Sequence, residues 1–127
     1  MATNREIVEH FMAAWPSMDV DRLMAFFDPD AVYTNIPIDP PNRGTAAIRS
    51  TMEGFLAMAR SCEFVVHNAV ADEARGVVMN ERTDRFELHD GRWLELPVMG
   101  VFELRGGRIV AWRDYFDLAG FQKSLTG

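Results

Sequence analysis

The chain has 127 residues, 48% hydrophobic and 25% charged, which reads as a single soluble globular domain over 1–127 rather than a disordered segment. Thirteen basic against nineteen acidic residues give a net charge of −6 with no run of Lys or Arg, which argues against nucleic acid and anionic membrane as partners. One cysteine, Cys62, allows no internal disulfide, no apolar stretch approaches the ~20 residues of a membrane span, and the start lacks a signal peptide's apolar core, so a cytoplasmic protein is expected.

Thr3-Asn4-Arg5-Glu6 has the form of a capping box, and Ile7, Val8, Phe11, Met12 and Trp15 then share one helical face until Pro16 stops the run. A second, shorter helix is expected next, capped by Asp19 or Asp21, with Leu23, Met24, Phe26 and Phe27 on its apolar side. Ala31 to Ile36 alternates as a short strand, and Pro37, Pro40 and Pro41 break the next stretch of chain into a loop. From Thr45 to about Arg60, Ile48, Met52, Phe55, Leu56 and Ala59 recur at helical spacing.

The remainder predicts strands over 63–70, 76–88, 92–104 and 108–116, with hairpin turns at Asp90-Gly91 and Gly106-Gly107, where positive φ is needed. Pro97 removes a ladder donor within its strand, so a bulge or an edge is expected there. A final short helix, capped by Asp117, carries Leu118 and Phe121. Helices followed by a strand meander predict an α+β domain. Its curved, mostly antiparallel sheet would carry the N-terminal helices on its concave face and leave a conical pocket.

The informative residues are polar ones on strand faces that otherwise look buried. Side chains two apart share a face, so Tyr33 pairs with Asn35, and Arg82 and Asp84 join Val78, Asn80 and Phe86. Asp114 shares its face with Val110, Trp112 and Phe116. An unpaired buried charge costs several kcal/mol, so an inward Asp114 needs a partner. Arg82 is the natural one, and Asp84 competes for the same guanidinium. Residue by residue, a solvated face or a cross-strand ion pair is the plainer reading, and Asp114 outside with Arg113 inside is equally consistent. The group is harder to dismiss, because three separate strands bring polar residues at alternating positions among large apolar ones.

Two ionised carboxylates around one guanidinium leave a net charge of −1, and one shared proton brings it to zero. An apolar cavity favours the neutral arrangement, leaving one carboxylate to take a proton and one carboxylic acid to give one. An unaided Asp, with a pKa of about 3.9, does not donate at neutral pH. Tyr33 and Asn35 are suited to hold a water molecule for the base. This is equipment for push–pull hydrolysis, and it does not say which Asp is which. His10, His67 and His89 show no ligand spacing and Cys62 adds little, so neither a metal nor another cofactor is expected. Gly-x-Ser-x-Gly and phosphate-loop motifs are absent.

Tyr33-Thr34-Asn35, Glu81-Arg82-Thr83-Asp84, Gly100-Val101-Phe102 and the run from Trp112 to Leu118 together resemble the limonene-1,2-epoxide hydrolase family. That family lies within the cystatin-like, nuclear-transport-factor-2-like α+β superfamily, and the likeness extends from the first helix to Phe121. The resemblance implies Asp114 as general base, Asp84 as general acid, Arg82 as the bridge between them, and Tyr33 and Asn35 as the water-positioning pair. Epoxide opening would then be one step to a vicinal diol, with no covalent ester. By position, Trp15, Ile36, Phe55, Phe86, Leu96, Val98 and Phe116 are expected to form an apolar wall for a cyclic or terpenoid epoxide. A homodimer is also implied.

The same fold hosts other functions. A ketosteroid-isomerase-like enzyme has no need of an arginine between its carboxylates. A polyketide-cyclase-like enzyme calls for a His–Asp pair, and a binding module would carry apolar residues at 82, 84 and 114. Epoxide hydrolase is the leading reading, with isomerase or cyclase next and a non-catalytic ligand-binding domain third.

Overall fold

The computed structural model describes residues 1–126. It contains four helices, α1 (Asn4–Ala14), α2 (Val20–Met24), α3 (Gly44–Ala57) and α4 (Leu118–Thr126), and six strands. The strands are β1 (Phe27–Ile36), β2 (Asn42–Arg43), β3 (Ala59–Asp72), β4 (Val77–Leu88), β5 (Trp93–Arg105) and β6 (Arg108–Tyr115). They form one sheet in the order β2-β1-β6-β5-β4-β3, curved but not closed, with helices packed on it. Neighbouring strands are antiparallel except β1 and β6, which run parallel. The α+β expectation holds.

Local chemistry accounts for the boundaries. Thr3 Oγ1 accepts from the Glu6 amide at 3.1 Å while the Thr3 amide donates to Glu6 Oε1 at 2.9 Å, completing the capping box of α1. Pro16 converts the chain into a single 3-10 turn over Trp15–Ser17. Asp19 caps α2 by accepting from the Asp21 and Arg22 amides. At the C-terminal end, Asp117 Oδ1 accepts from the Gly120 amide at 3.0 Å. Gly106 and Gly107, at φ 58° and 78°, form the β5–β6 hairpin where a side chain would be strained.

Several boundaries differ from the sequence expectation. Phe27 opens β1 instead of ending α2, because a five-residue helix leaves it over the sheet, where it is fully buried. Ala59 and Arg60 belong to β3, which pairs with β4 from Ala59 to Asp72. Val110 does not share the face of Trp112 and Asp114: the register against β5 slips between Glu103 and Leu104, and Ile109 turns inward in its place. Pro97 produces no bulge against β4, its partner there being Thr83. Pairing of β5 with β6 begins only at Met99, so Pro97 lies on an open edge that needs no donor.

The core lies between helices and sheet and is built around Phe11, which is wholly buried. Its ring meets those of Trp15, Phe26, Phe27, Phe102 and Trp112, with centroids 5.0–6.2 Å apart and mostly edge-on. One side chain thus ties α1 to β1, β5 and β6. Phe11→Ala is expected to lower unfolding free energy by about 3–5 kcal/mol in urea denaturation, and a loss under about 1 kcal/mol would contradict this role.

Candidate active site

Four adjacent strands build the site. Tyr33 and Asn35 lie on β1, Asp114 on β6, and Arg82 and Asp84 on β4, with β5 running between β6 and β4. Burial alternates along each: Ala31, Tyr33 and Asn35 are inward on β1, and Val78, Asn80, Arg82, Asp84, Phe86 and Leu88 on β4. Asn35 lies beside Asp114 in the β1–β6 register. The polar residues predicted as a site therefore converge, and all five are nearly solvent-free.

The Arg82 guanidinium binds both carboxylates. Nε and one terminal nitrogen donate to Asp84 Oδ1 and Oδ2, each at 2.9 Å. The terminal nitrogens donate to Asp114 Oδ1 and Oδ2 at 3.1 and 2.7 Å, and the remaining N–H reaches Asn80 Oδ1 at 2.9 Å. All five donors of the fork are thereby used. Asp114 Oδ1 also accepts from Trp112 Nε1 at 2.6 Å. Trp112 is itself stacked between Tyr33, at 4.1 Å, and Phe102, at 5.5 Å. Tyr33 donates its hydroxyl to Asn35 Oδ1 at 2.9 Å.

These contacts make the two carboxylates unequal. Asp114 accepts three side-chain hydrogen bonds and Asp84 two. Burial pushes the Asp84 carboxyl up to about 6; the Arg82 guanidinium pulls against that shift and the charge of Asp114 adds to it. Burial also opposes the charge on Arg82, but Asp114 and Asp84 outweigh it, so the guanidinium holds its proton even more firmly than usual. Burial, then the Asp114 charge, keeps the Tyr33 phenol protonated far above its ordinary range. Cys62 is likewise pushed up, by burial and then by Asp84, to about 11 and remains a thiol.

The carboxylates open onto a small cavity lined by Tyr33, Asn35, Asp84 and Asp114 and otherwise by apolar side chains. Trp15, Phe55, Phe86, Leu96, Val98 and Phe116 stand on its wall as expected from the sequence. Ile36 does not: it follows Asn35 directly, so the pleat turns it to the opposite face. Phe64, which the sequence pattern does not single out, belongs to the wall, stacked on Trp15 at 4.4 Å with the Arg82 guanidinium 5.4 Å from its ring centre. Its signal is its place opposite Asp84 in the β3–β4 register, which only strand pairing discloses. Trp112 is legible in the sequence as a neighbour of Asp114 on one strand face, but its role as hydrogen-bond donor is not. Arg82 is absent from the lining and supports the carboxylates from behind. The histidines stand elsewhere, all exposed, with His67 bonded to Thr83 and His89 to the Ala57 carbonyl.

A carboxyl titrating near 6 in the fold and near 4 when unfolded keeps its proton longer in the folded state, so stability falls as pH rises from about 4 to 6. Replacing Asp84 by Asn is expected to remove a penalty of roughly 2–3 kcal/mol across that window. Parallel urea denaturation curves for the native protein and Asp84→Asn should converge toward pH 4 and separate toward pH 7; a constant difference would contradict the assignment.

Residues 2–126 match the family model of the limonene-1,2-epoxide hydrolase catalytic domain. The chain is 36% identical over 120 residues to epoxide hydrolase EphG of Mycobacterium tuberculosis, covering 93% of this chain and 76% of that one. A solved structure of an M. tuberculosis limonene-epoxide-hydrolase-like epoxide hydrolase superposes with a TM-score of 0.78 at 31% identity, over 95% of this chain and 87% of the other. An NTF2-like protein from Burkholderia pseudomallei superposes over the whole of both chains at a TM-score of 0.85 and 18% identity, a likeness of fold alone.

Proposed function

The chain belongs to the limonene-1,2-epoxide hydrolase family and is an epoxide hydrolase, and from that premise we propose that it opens an apolar cyclic or terpenoid epoxide to a vicinal diol in one push–pull step. The observation that carries this reading is the unequal pair of buried carboxylates sharing Arg82 on an otherwise apolar cavity. Asp114, which accepts three hydrogen bonds, is the general base; Asp84, whose pKa is raised to about 6 and which keeps its proton to higher pH than an ordinary aspartate, is the general acid.

In this scheme a water molecule rests among Asp114, Asn35 and Tyr33. Its oxygen attacks a ring carbon as its proton passes to Asp114 Oδ, the carbon–oxygen bond breaks, and the ring oxygen takes the proton of Asp84. Passage of a proton from Asp114 back to Asp84 resets the site. Electrons and protons balance within the site, so the reaction needs no cofactor and leaves no ester on the protein. Arg82 remains charged throughout and holds the two carboxylates in register. Trp15, Phe55, Phe64, Phe86, Leu96, Val98 and Phe116 would enclose the hydrocarbon part of the substrate.

Asp114→Asn is expected to lower turnover of limonene oxide or cyclohexene oxide by about 100- to 10,000-fold with the fold preserved, and Asp84→Asn to do likewise. Single turnover of the native protein in heavy-oxygen water should place the label in the diol. Near-normal activity of either variant, or label in an aspartate of the protein, would overturn the scheme.

We further read the protein as a cytoplasmic homodimer. Support for pairing comes from the sheet face turned away from the helices, where Val70, Met79, Met99 and Tyr115 are all exposed. Among the described residues, no helix is long and apolar enough to cross a membrane. Light scattering after size exclusion should give twice the 14.4 kDa chain mass, and a monomer at micromolar concentration would reject the pairing.

A further inference from the structure

Arg82 and Asp114 meet over an intervening strand. Arg82 stands on β4 and Asp114 on β6, so the guanidinium crosses the face of β5 to reach its partner. Strands are about 4.8 Å apart, and an inward side chain on β5 would fill the space between. At the crossing point β5 carries Gly100, placed opposite Asn80 of β4 and Asp114 of β6. A Cβ there would lie 2.3 Å from the Arg82 terminal nitrogen and 2.9 Å from both Asn80 Oδ1 and Asp114 Oδ1. Gly100 does not have a positive φ, so its need for glycine is spatial. Asn80, 2% exposed, accepts the one guanidinium N–H that neither carboxylate uses.

We propose that Asn80 and Gly100 are positioning residues: Gly100 supplies the gap through which the Arg82 guanidinium crosses β5, and Asn80 fixes its rotation so that both carboxylates are gripped at once. Neither residue lines the cavity, so neither touches the substrate. The effect on turnover rests on the hydrolase reading; the placement of the guanidinium does not.

The test uses the full chain with Gly100→Ala, Asn80→Ala and the double variant, assayed on limonene oxide and cyclohexene oxide. Gly100→Ala is expected to lower kcat by about 100-fold, as a misplacement of about 1 Å can do, with KM within about threefold because the apolar wall is intact. Asn80→Ala, which leaves one N–H unpaired, is expected to lower kcat by roughly 10-fold. Acting through one guanidinium, the two losses should not multiply, whereas independent damage to the sheet would make them multiply. Near-normal kcat in Gly100→Ala, a change confined to KM, or multiplying losses would overturn the proposal. Should Gly100→Ala fail to fold, Asn80→Ala, which opens space and forces no clash, decides the matter by the same split between kcat and KM. Absence of diol from the native protein would defeat the hydrolase reading instead. Crystal structures of the variants then judge positioning alone, and a guanidinium unmoved relative to Asp114 would overturn it.

Discussion

A single guanidinium, sealed from water, is the constraint on which the site depends. Removing an arginine from solvent costs several kcal/mol unless each N–H and the charge itself are met. Arg82 meets that demand with two aspartates and one asparagine, using every donor it has. The solution carries a consequence: two carboxylates compensate more charge than one arginine supplies. The surplus is relieved when Asp84 takes a proton, and in the proposed scheme that proton passes to the epoxide oxygen as its ring opens. Stability and the proposed chemistry are therefore coupled through one charge, and the penalty that Asp84 imposes on the fold as pH rises from about 4 to 6 is inseparable from the acid role proposed for it.

The aromatic core extends this constraint outward. Phe11 packs on Trp112, Trp112 is stacked between Tyr33 and Phe102, and its indole N–H points at Asp114. Asp114, the proposed base, is thus oriented by a ring whose own position is set by the hydrophobic core rather than by a mobile surface group. Apolar burial, usually counted only as stability, here specifies the direction of a hydrogen bond. The same arrangement leaves polar atoms at one end of the cavity and hydrocarbon around the rest, the division an epoxide with an apolar skeleton presents.

Much of this is legible without coordinates. Alternation along β4 puts Asn80, Arg82 and Asp84 on one buried face, and capping chemistry locates α1 and α2. Where sequence and structure part, the cause is local. Proximity to Asn35 suggests Ile36 for the wall, and the pleat sends it the other way. Simple alternation puts Val110 with Trp112 and Asp114, and a bulge resets it. Phe64 escapes a sequence reading because its relevance comes from a partner twenty positions away.

Which residues share a face follows from local sequence, because the period of a strand is a property of adjacent peptides and needs no partner. The sequence also supplies two carboxyl groups and a cation able to bridge them. The inequality of the two carboxylates, by contrast, arises from the fold. That inequality includes how many donors reach each one, and those donors come from residues as far apart as Arg82 and Trp112, with Arg82 reaching Asp114 across a strand bare of side chain at Gly100. Register between strands distant in sequence is set by the packing of the whole sheet, and no window of adjacent residues contains it.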